Sequence, residues 1–515
     1  PNERKVHLRA VPRVGGIAMV LGSLAPLLVL IPGNNTKFSI LIAFAIVFLF
    51  GVWDDRGDLS YKLKFLGQLF AACCVVIIGD VSIRWLPFLD IAPLSDLVSF
   101  PLTVFCLLAI TNAIAISDGL DGLTGGSSLL SFAMLGVLAF IAEDMLSMVI
   151  TVSVIGSILG FLRYNSHPAI IFMGDTGSQF LGFSVGTVAI LLTQHSYTAI
   201  NPLFPILLFG LPVIDTAWVM IARIFSGNSP FKADKGHIHH RLMLLGLSHF
   251  EVVVVIYLIH IVFILSAFYF RFASDLYLLS VFLMIAISVI GGLNFLNKSG
   301  WKKNQIIFQL ISKKFKNNSS VKAFLNLIET IFSSYLVYLF LPLLLLSSNF
   351  NLQSLTIDLF ILSAFLFVAS LISLTLPKSN VFIDRILFYI FAALICFLGF
   401  ENGYQNNYTI YLDIIYISIL GFLLLCYFVF IYKNLIKNKK FKINPTDILI
   451  SFIMLVLPFL SFIYNQSFLI TSAIVKFIIL LYFFEIILVE RSNPRILKLF
   501  VLCSMGVIVS KVLFV

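Results

Sequence analysis

Three short acidic segments and one histidine cluster hold the residues best suited to chemistry in this chain of 515 residues. Asp54 and Asp55 are adjacent at the end of an apolar run, and Asp58 completes a D-D-x-x-D pattern. Neighbouring carboxylates repel unless a cation or a shared proton relieves them, so the pair suits a Mg²⁺-diphosphate site. A solvated loop is the plainer alternative. In the segment from Asn112 to Gly126, Asp118 and Asp121 stand at i and i+3, a spacing that shares one face of a helix. Glycines there let a ligand approach the backbone; a helix end, with acids stabilised at the next N-terminus, explains the same residues. Asp175 lies between Gly174 and Gly177, directly ahead of an apolar run. That position suits a phosphate or a metal, or a helix cap.

The longest polar loop of the first half, residues 223–250, carries Lys232, Asp234, Lys235, His237, His239, His240 and Arg241. Imidazole is the commonest nitrogen ligand of transition metals, yet no Cys or acid is spaced here as in zinc patterns. With Lys232, Lys235 and Arg241 alongside, the segment suits hydrogen-bond donation from neutral or cationic rings onto a diphosphate or a sugar. A solvated basic loop is the alternative.

The elements that position these residues follow from composition. The chain is 60% hydrophobic and 11% charged, where soluble proteins carry roughly a quarter charged residues. Apolar stretches long enough to cross a hydrocarbon slab recur along it, and they are apolar on all sides, which excludes a barrel. The predicted fold class is therefore all-α, a polytopic transmembrane helix bundle. About ten spans fall in the first half, near residues 15–31, 38–53, 65–79, 100–115, 127–142, 146–162, 180–192, 203–222, 252–270 and 276–296. A polar, basic stretch follows, and about seven further spans come after it. We expect a membrane domain at 1–297, a basic linker at 298–322, and a C-terminal polytopic module at 323–515 that carries no motif.

Lys and Arg accumulate in alternate loops, the set that holds Arg4, Lys5, Arg13, Arg56, Lys62, Lys64, Arg163, Lys232, Lys235 and Arg241. By the positive-inside rule that face is cytoplasmic. The net charge of +10 is thus a topology signal, and no nucleic-acid partner is expected. The six cysteines fall in or beside apolar runs and read as small core residues.

In order, the chain shows P-N-x-R-K-x-H-x(4)-P-R-x-G-G, D-D, N-A-x(4)-D-G-x-D-G-L, F-M-G-D-T-G-S and H-I-H-H-R-L. This series resembles the polyprenyl-phosphate N-acetylhexosamine-1-phosphate transferases, over roughly the first 296 residues, and the H-I-H-H form is similar to the GlcNAc-1-phosphate group. Members usually have one span before the P-N-x-R segment; as the chain starts at Pro1, we expect that first span to be missing. One departure stands out. Where the family commonly has a second Asn, this chain has Ala115, and Ser117 is the candidate replacement.

The resemblance implies attack by the phosphate of undecaprenyl phosphate on the β-phosphorus of a UDP-N-acetylhexosamine, releasing UMP. Such a step initiates cell-envelope glycans such as O-antigen at the cytoplasmic face of the bacterial inner membrane. It implies Mg²⁺, with Mn²⁺ as a substitute, and Asp175 as the leading metal ligand. Asp54 and Asp55 would act on the acceptor side. Asn112, Asp118 and Asp121 would meet the nucleotide sugar, and His237, His239, His240 and Arg241 the diphosphate or sugar. Lys5 and Arg13 would guide the lipid phosphate. A homodimer is allowed. Two other classes share features with the chain: a Mg²⁺-dependent membrane prenyltransferase, through D-D-x-x-D, and a lipid-sugar transporter or flippase, through the span count. The C-terminal module is expected to assist in handling the lipid-linked sugar.

Overall fold

A computed structural model describes residues 11–300 apart from 32, 58, 89–92, 196–198 and 228–235, together with 302 and fragments at 364–371, 384–396 and 476–502. Arg4, Lys5, Asp58, Lys232, Asp234 and Lys235, nearly all of the linker, and almost all of the C-terminal module lie outside the described residues. The chain divides into two compact units, the first of which includes Pro1–Lys303. That unit holds every motif named above.

Its helices are α1 (Gly15–Leu30), α2 (Asn35–Gly57), α3 (Tyr61–Cys73), α4 (Asp96–Ile116), α5 (Leu123–Ile141) and α6 (Met145–Asn165). Then come α7 (Gly174–Ile190), α8 (Phe204–Leu208), α9 (Gly210–Phe225), α10 (Ile238–Leu244), α11 (His249–Phe270) and α12 (Asp275–Lys298). Helices α3 and α7 each run on into a π-helical turn, Cys74–Ile78 and Leu191–His195. Eight of these segments are long and apolar enough to cross a membrane, and α1 is a shorter apolar helix. The protein is a multi-pass helical membrane bundle. One expectation needs correction: the span predicted at 203–222 is two helices, α8 and α9. Pro205 and Pro212 remove backbone donors on both sides of the Phe209 break.

Helix α7 is the axis of the bundle, and every residue from Thr176 to Ile190 is buried. Helices α1, α2, α4, α5 and α6 pack around it. Glycines let the backbones close: a Cβ on Gly16 would lie 2.3 Å from the Gly177 nitrogen, and one on Gly51 would lie 2.6 Å from Thr176 Cα. The first N–H groups of α1 find no partner inside the helix. They donate instead to the segment before α7, Gly15 to Phe172 O at 2.9 Å and Gly16 to Met173 O at 3.0 Å. The glycine pair of P-R-x-G-G thereby ties the start of α1 to F-M-G-D. At the other end of α1, buried Lys37 donates through Nζ to the carbonyls of Ile31 and Leu28, neutralising the helix C-terminus.

Because successive long helices alternate in direction, the C-terminal ends of α2, α4 and α6 meet the N-terminal ends of α3, α5, α7 and α11. All the acidic motifs and the histidine helix α10 gather at that one end.

Candidate active site

The turn between α2 and α3 folds Lys64 back onto Asp54, with Nζ 2.5 Å from Asp54 Oδ2 and 3.3 Å from Asp175 Oδ2. Asp54 is 1% exposed and also accepts from the Leu59 N–H at 2.8 Å. Asp55 faces elsewhere. Its Oδ1 accepts from the Asp175 N–H at 2.9 Å, and its Oδ2 accepts from the Thr176 N–H at 3.0 Å and the Thr176 hydroxyl at 2.6 Å. A carboxylate from α2 thus satisfies the open N–H groups at the positive end of α7. The repulsion expected between the adjacent acids is relieved by Lys64 on one side and by a helix N-terminus on the other.

Gly174 makes that docking possible. It sits at φ +67°, and a Cβ there would lie 2.4 Å from both Asp55 carboxylate oxygens. Gly174→Ala is expected to destabilise the protein by about 2 kcal/mol or more, by combining left-handed strain with a clash against backbone-bound carboxylate. Thermal melting in detergent checks this, and an unchanged melting temperature would contradict the docking.

Asp175 keeps 35% of its side chain exposed, against 1% for Asp54. It is the acid of this trio that can reach a bound ion. Asp118 is also open to solvent. The surrounding protein, followed by the charges of Asp175, Asp121 and Asp55, pushes its carboxyl up to about 7. Hard oxygen donors concentrated around Asp175 and Asp118 fit Mg²⁺ rather than a softer metal.

Asp118 and Asp121 do not share a helix face, contrary to expectation. Residues 117–122 form a turn between α4 and α5, with Gly122 at φ +79°, so the helical spacing does not apply. Asp121 is buried and turned to the loop before α7, accepting from His167 Nδ1 at 2.8 Å and the Ala169 N–H at 3.1 Å. Asn165 adds two links: its Oδ1 accepts from the Gly122 N–H at 2.8 Å, and its Nδ2 donates to Ile171 O at 2.9 Å. Asp121 therefore staples D-G-x-D-G to F-M-G-D. His249 joins Asp121 and His167 within 4.8 Å, but the two rings stack at 4.2 Å and 20°. Imidazole lone pairs lie in the ring plane, so nearly parallel rings do not converge on one ion.

Asn112 is held by Gln68. Its Nδ2 donates to Gln68 Oε1 at 2.7 Å and to Leu108 O at 2.8 Å, while Gln68 Nε2 reaches Gln179 Oε1 at 3.1 Å. Gln68 and Gln179 lie one turn below Lys64 and Asp175. The three amides thus form a polar floor that locks α3, α4 and α7 beneath the acids.

In α10, His239 is 4% exposed and lies so close to Gly119 that a Cβ there would fall 2.5 Å from its Nε2. The H-I-H-H helix is therefore seated on the D-G-x-D-G turn. The His237 and His239 rings run parallel at 5.8 Å, and His239 and His240 meet at 4.2 Å. Burial, then His240, brings His239 down to about 4, so it acts as a neutral ring. The folded protein then binds fewer protons than the unfolded chain between that value and the ordinary histidine value of 6.5. Stability contributed by His239 is full above this window and is lost as pH falls through it. His239→Gln is expected to flatten that part of the melting-temperature profile against pH; an unchanged slope would contradict it.

Arg241 is 9% exposed, donates through Nη2 to Asn294 at 2.6 Å and lies 5.6 Å over the Trp218 ring. Its Nη1 is buried with no hydrogen-bond partner. Arg13 is exposed, next to Pro12, whose carbonyl accepts from the Phe172 N–H at 2.9 Å.

Two contributors escaped the sequence reading. Lys64 reads in the sequence as loop charge, and it meets Asp54 only because the chain reverses between α2 and α3. Asp215 of α9 accepts from His237 Nδ1 at 3.0 Å and from the Ile238 N–H at 2.7 Å. A lone acid within an apolar run was the available signal.

A membrane-embedded bundle that collects carboxylates, a bridging lysine and histidines at one end is built to handle phosphorylated substrates at a bilayer surface. Residues 37–193 match the model of glycosyl transferase family 4. Over 302 residues the chain is 39% identical to a Bacillus subtilis (strain 168) protein named "Probable undecaprenyl-phosphate N-acetylglucosaminyl 1-phosphate transferase", covering 57% of this chain and 84% of the relative. It is 34% identical over 289 residues to the decaprenyl-phosphate N-acetylglucosaminephosphotransferase of Mycobacterium tuberculosis (strain ATCC 25618 / H37Rv), covering 50% and 72%. It is 31% identical over 265 residues to the undecaprenyl-phosphate alpha-N-acetylglucosaminyl 1-phosphate transferase of Escherichia coli (strain K12), covering 50% and 71%. The chain belongs to the polyprenyl-phosphate N-acetylhexosamine-1-phosphate transferase family, and it is a glycosyl-1-phosphate transferase.

Proposed function

We propose that this protein transfers GlcNAc 1-phosphate from UDP-GlcNAc to undecaprenyl phosphate at the cytoplasmic face of a bacterial inner membrane, releasing UMP and initiating a cell-envelope glycan. The observation that carries the reading is the junction of Asp54, Lys64 and Asp175 at the N-terminus of α7, with Asp118 and the α10 histidines beside it. An apolar cavity of about 440 Å³ supports the lipid acceptor. It runs between α4, α7, α8 and α9 from Ala113, close to the site, to Trp85 and Gln194.

In the reaction an acceptor phosphate oxygen forms a bond to the β-phosphorus, and the bond to the UMP oxygen breaks, so the electron pair leaves on UMP. A phosphomonoester has its second pKa at about 6 and is largely ionised at neutral pH, so positioning outweighs proton removal. Lys64 offsets charge on the phosphates while holding Asp54. Asp55 fixes the backbone that carries Asp175. The Nη1 donor of Arg241 and the imidazoles of His237, His239 and His240 bind the diphosphate or sugar, and Arg13 with Lys5 draws the lipid phosphate to the surface. Asp175, with Asp118, would hold Mg²⁺, or Mn²⁺ in its place. When bound, the ion supplies charge neutralisation for the transferring phosphoryl group.

A prenyltransferase would need both members of the D-D pair directed at one diphosphate, and Asp55 is committed to α7. The test is UMP release from a panel of UDP-N-acetylhexosamines in membranes with and without undecaprenyl phosphate. Acceptor-dependent UMP from UDP-GlcNAc is expected. Release with another UDP-sugar alone would move the donor assignment, and release from none would overturn the function.

A further inference from the structure

Asp215 is the one acid within the apolar sequence of α9, and it is 6% exposed. Both of its oxygens are turned to the start of α10: Oδ1 accepts from the Ile238 N–H at 2.7 Å, and Oδ2 meets His237 Nδ1 at 3.0 Å. A carboxylate at that distance accepts, so the His237 proton resides on Nδ1. The other ring nitrogen, Nε2, then carries a lone pair in the neutral ring. The same contact sets the ring plane, which lies within 8° of the neighbouring His239 ring, and His239 in turn rests on Gly119 beside Asp118.

We infer that Asp215 is a positioning residue that makes His237 a hydrogen-bond acceptor, so that its Nε2 reads an O–H or N–H of the donor sugar rather than a phosphate oxygen. The inference deepens the proposed function and rests on it. A phosphate at neutral pH offers mainly acceptor oxygens and is poorly matched to a ring lone pair, whereas a sugar hydroxyl or an acetamido N–H is well matched. The phosphates are left to Lys64, Arg241 and the bound ion. Asp215 so divides the α10 cluster into a part that reads the sugar and a part that binds charge.

Asp215→Asn keeps the shape and an acceptor for the Ile238 N–H, but it points an amide NH₂ at His237. Nδ1 must then accept, the proton moves to Nε2, and the hydrogen-bond polarity offered to the sugar is inverted. A mismatched buried hydrogen bond weakens binding by roughly 10- to 100-fold, and here the loss falls on one substrate. The KM for the UDP-sugar is expected to rise by that factor while the KM for undecaprenyl phosphate stays unchanged.

The effect passes through one ring. The double variant with His237→Ala should therefore be no worse than His237→Ala alone. Asp215→Glu retains a carboxylate and is expected to keep the wild-type ratio of the two KM values even if its yield is lower. An unchanged UDP-sugar KM in Asp215→Asn, equal rises in both KM values, or losses that add to those of His237→Ala would overturn the inference while leaving the transferase reading intact. Absence of UMP release from wild-type protein with every UDP-sugar would overturn both.

Discussion

Asp175→Asn is expected to lower transfer by about 10³-fold, the scale on which removal of one preorganised charge acts in phosphoryl and acyl transfer. The change keeps the side-chain size and leaves the α7 backbone N–H groups on Asp55, because those bonds do not use the Asp175 side chain. Lys64 still holds Asp54. Melting temperature should therefore stay within about a degree of wild type, since a partly exposed ion pair contributes only ~0–1 kcal/mol. Raised Mg²⁺ should recover part of the rate if the residue holds the ion. A loss of activity that tracks a loss of folded protein would instead show that Asp175 serves the fold.

Lys64→Met has the opposite balance, with stability and activity falling together. Asp54 is 1% exposed, and its Oδ2 depends on Lys64 Nζ at 2.5 Å. Removing one partner of a buried pair costs roughly 3 kcal/mol or more, because the remaining charge has no compensation. Lys64 is 32% exposed, so water offsets part of that cost and about 2 kcal/mol is expected. Adding Asp54→Asn should return most of the stability without restoring transfer. Melting curves and UMP release on the two variants separate these effects. A single variant that melts like wild type would contradict the bridge.

The helices were legible because hydropathy reports burial in lipid directly. The runs at 15–31 and 100–115 became Gly15–Leu30 and Asp96–Ile116 within a few residues. The gathering of Asp54, Asp118, Asp175 and the histidines at one end follows from alternating spans and was legible too. The direction in which each side chain points was not. Asp54 and Asp55 are separated by about 100° around α2, so one meets Lys64 and the other meets α7. No local pattern reveals which. The i, i+3 spacing of Asp118 and Asp121 suggested a shared face, and the non-helical turn at residues 117–122 sets them apart. Helix α10 has 7 residues, too few for periodicity to mark it within a polar loop. Asp215 and Gln68 matter through partners far away in the chain, a relation that exists only once α9, α10, α3 and α4 have packed.

Sugar-phosphate transfer to a lipid by the acid cluster at the head of α7 leaves a direct signature in the lipid fraction. Membranes containing the protein, incubated with UDP-GlcNAc labelled in the sugar, undecaprenyl phosphate and Mg²⁺, test it most directly when organic-extractable label is counted beside UMP. We predict label in the lipid fraction in a one-to-one ratio with UMP, and loss of both in Asp175→Asn. Label and UMP that persist in Asp175→Asn would contradict the assignment of the reaction to this cluster.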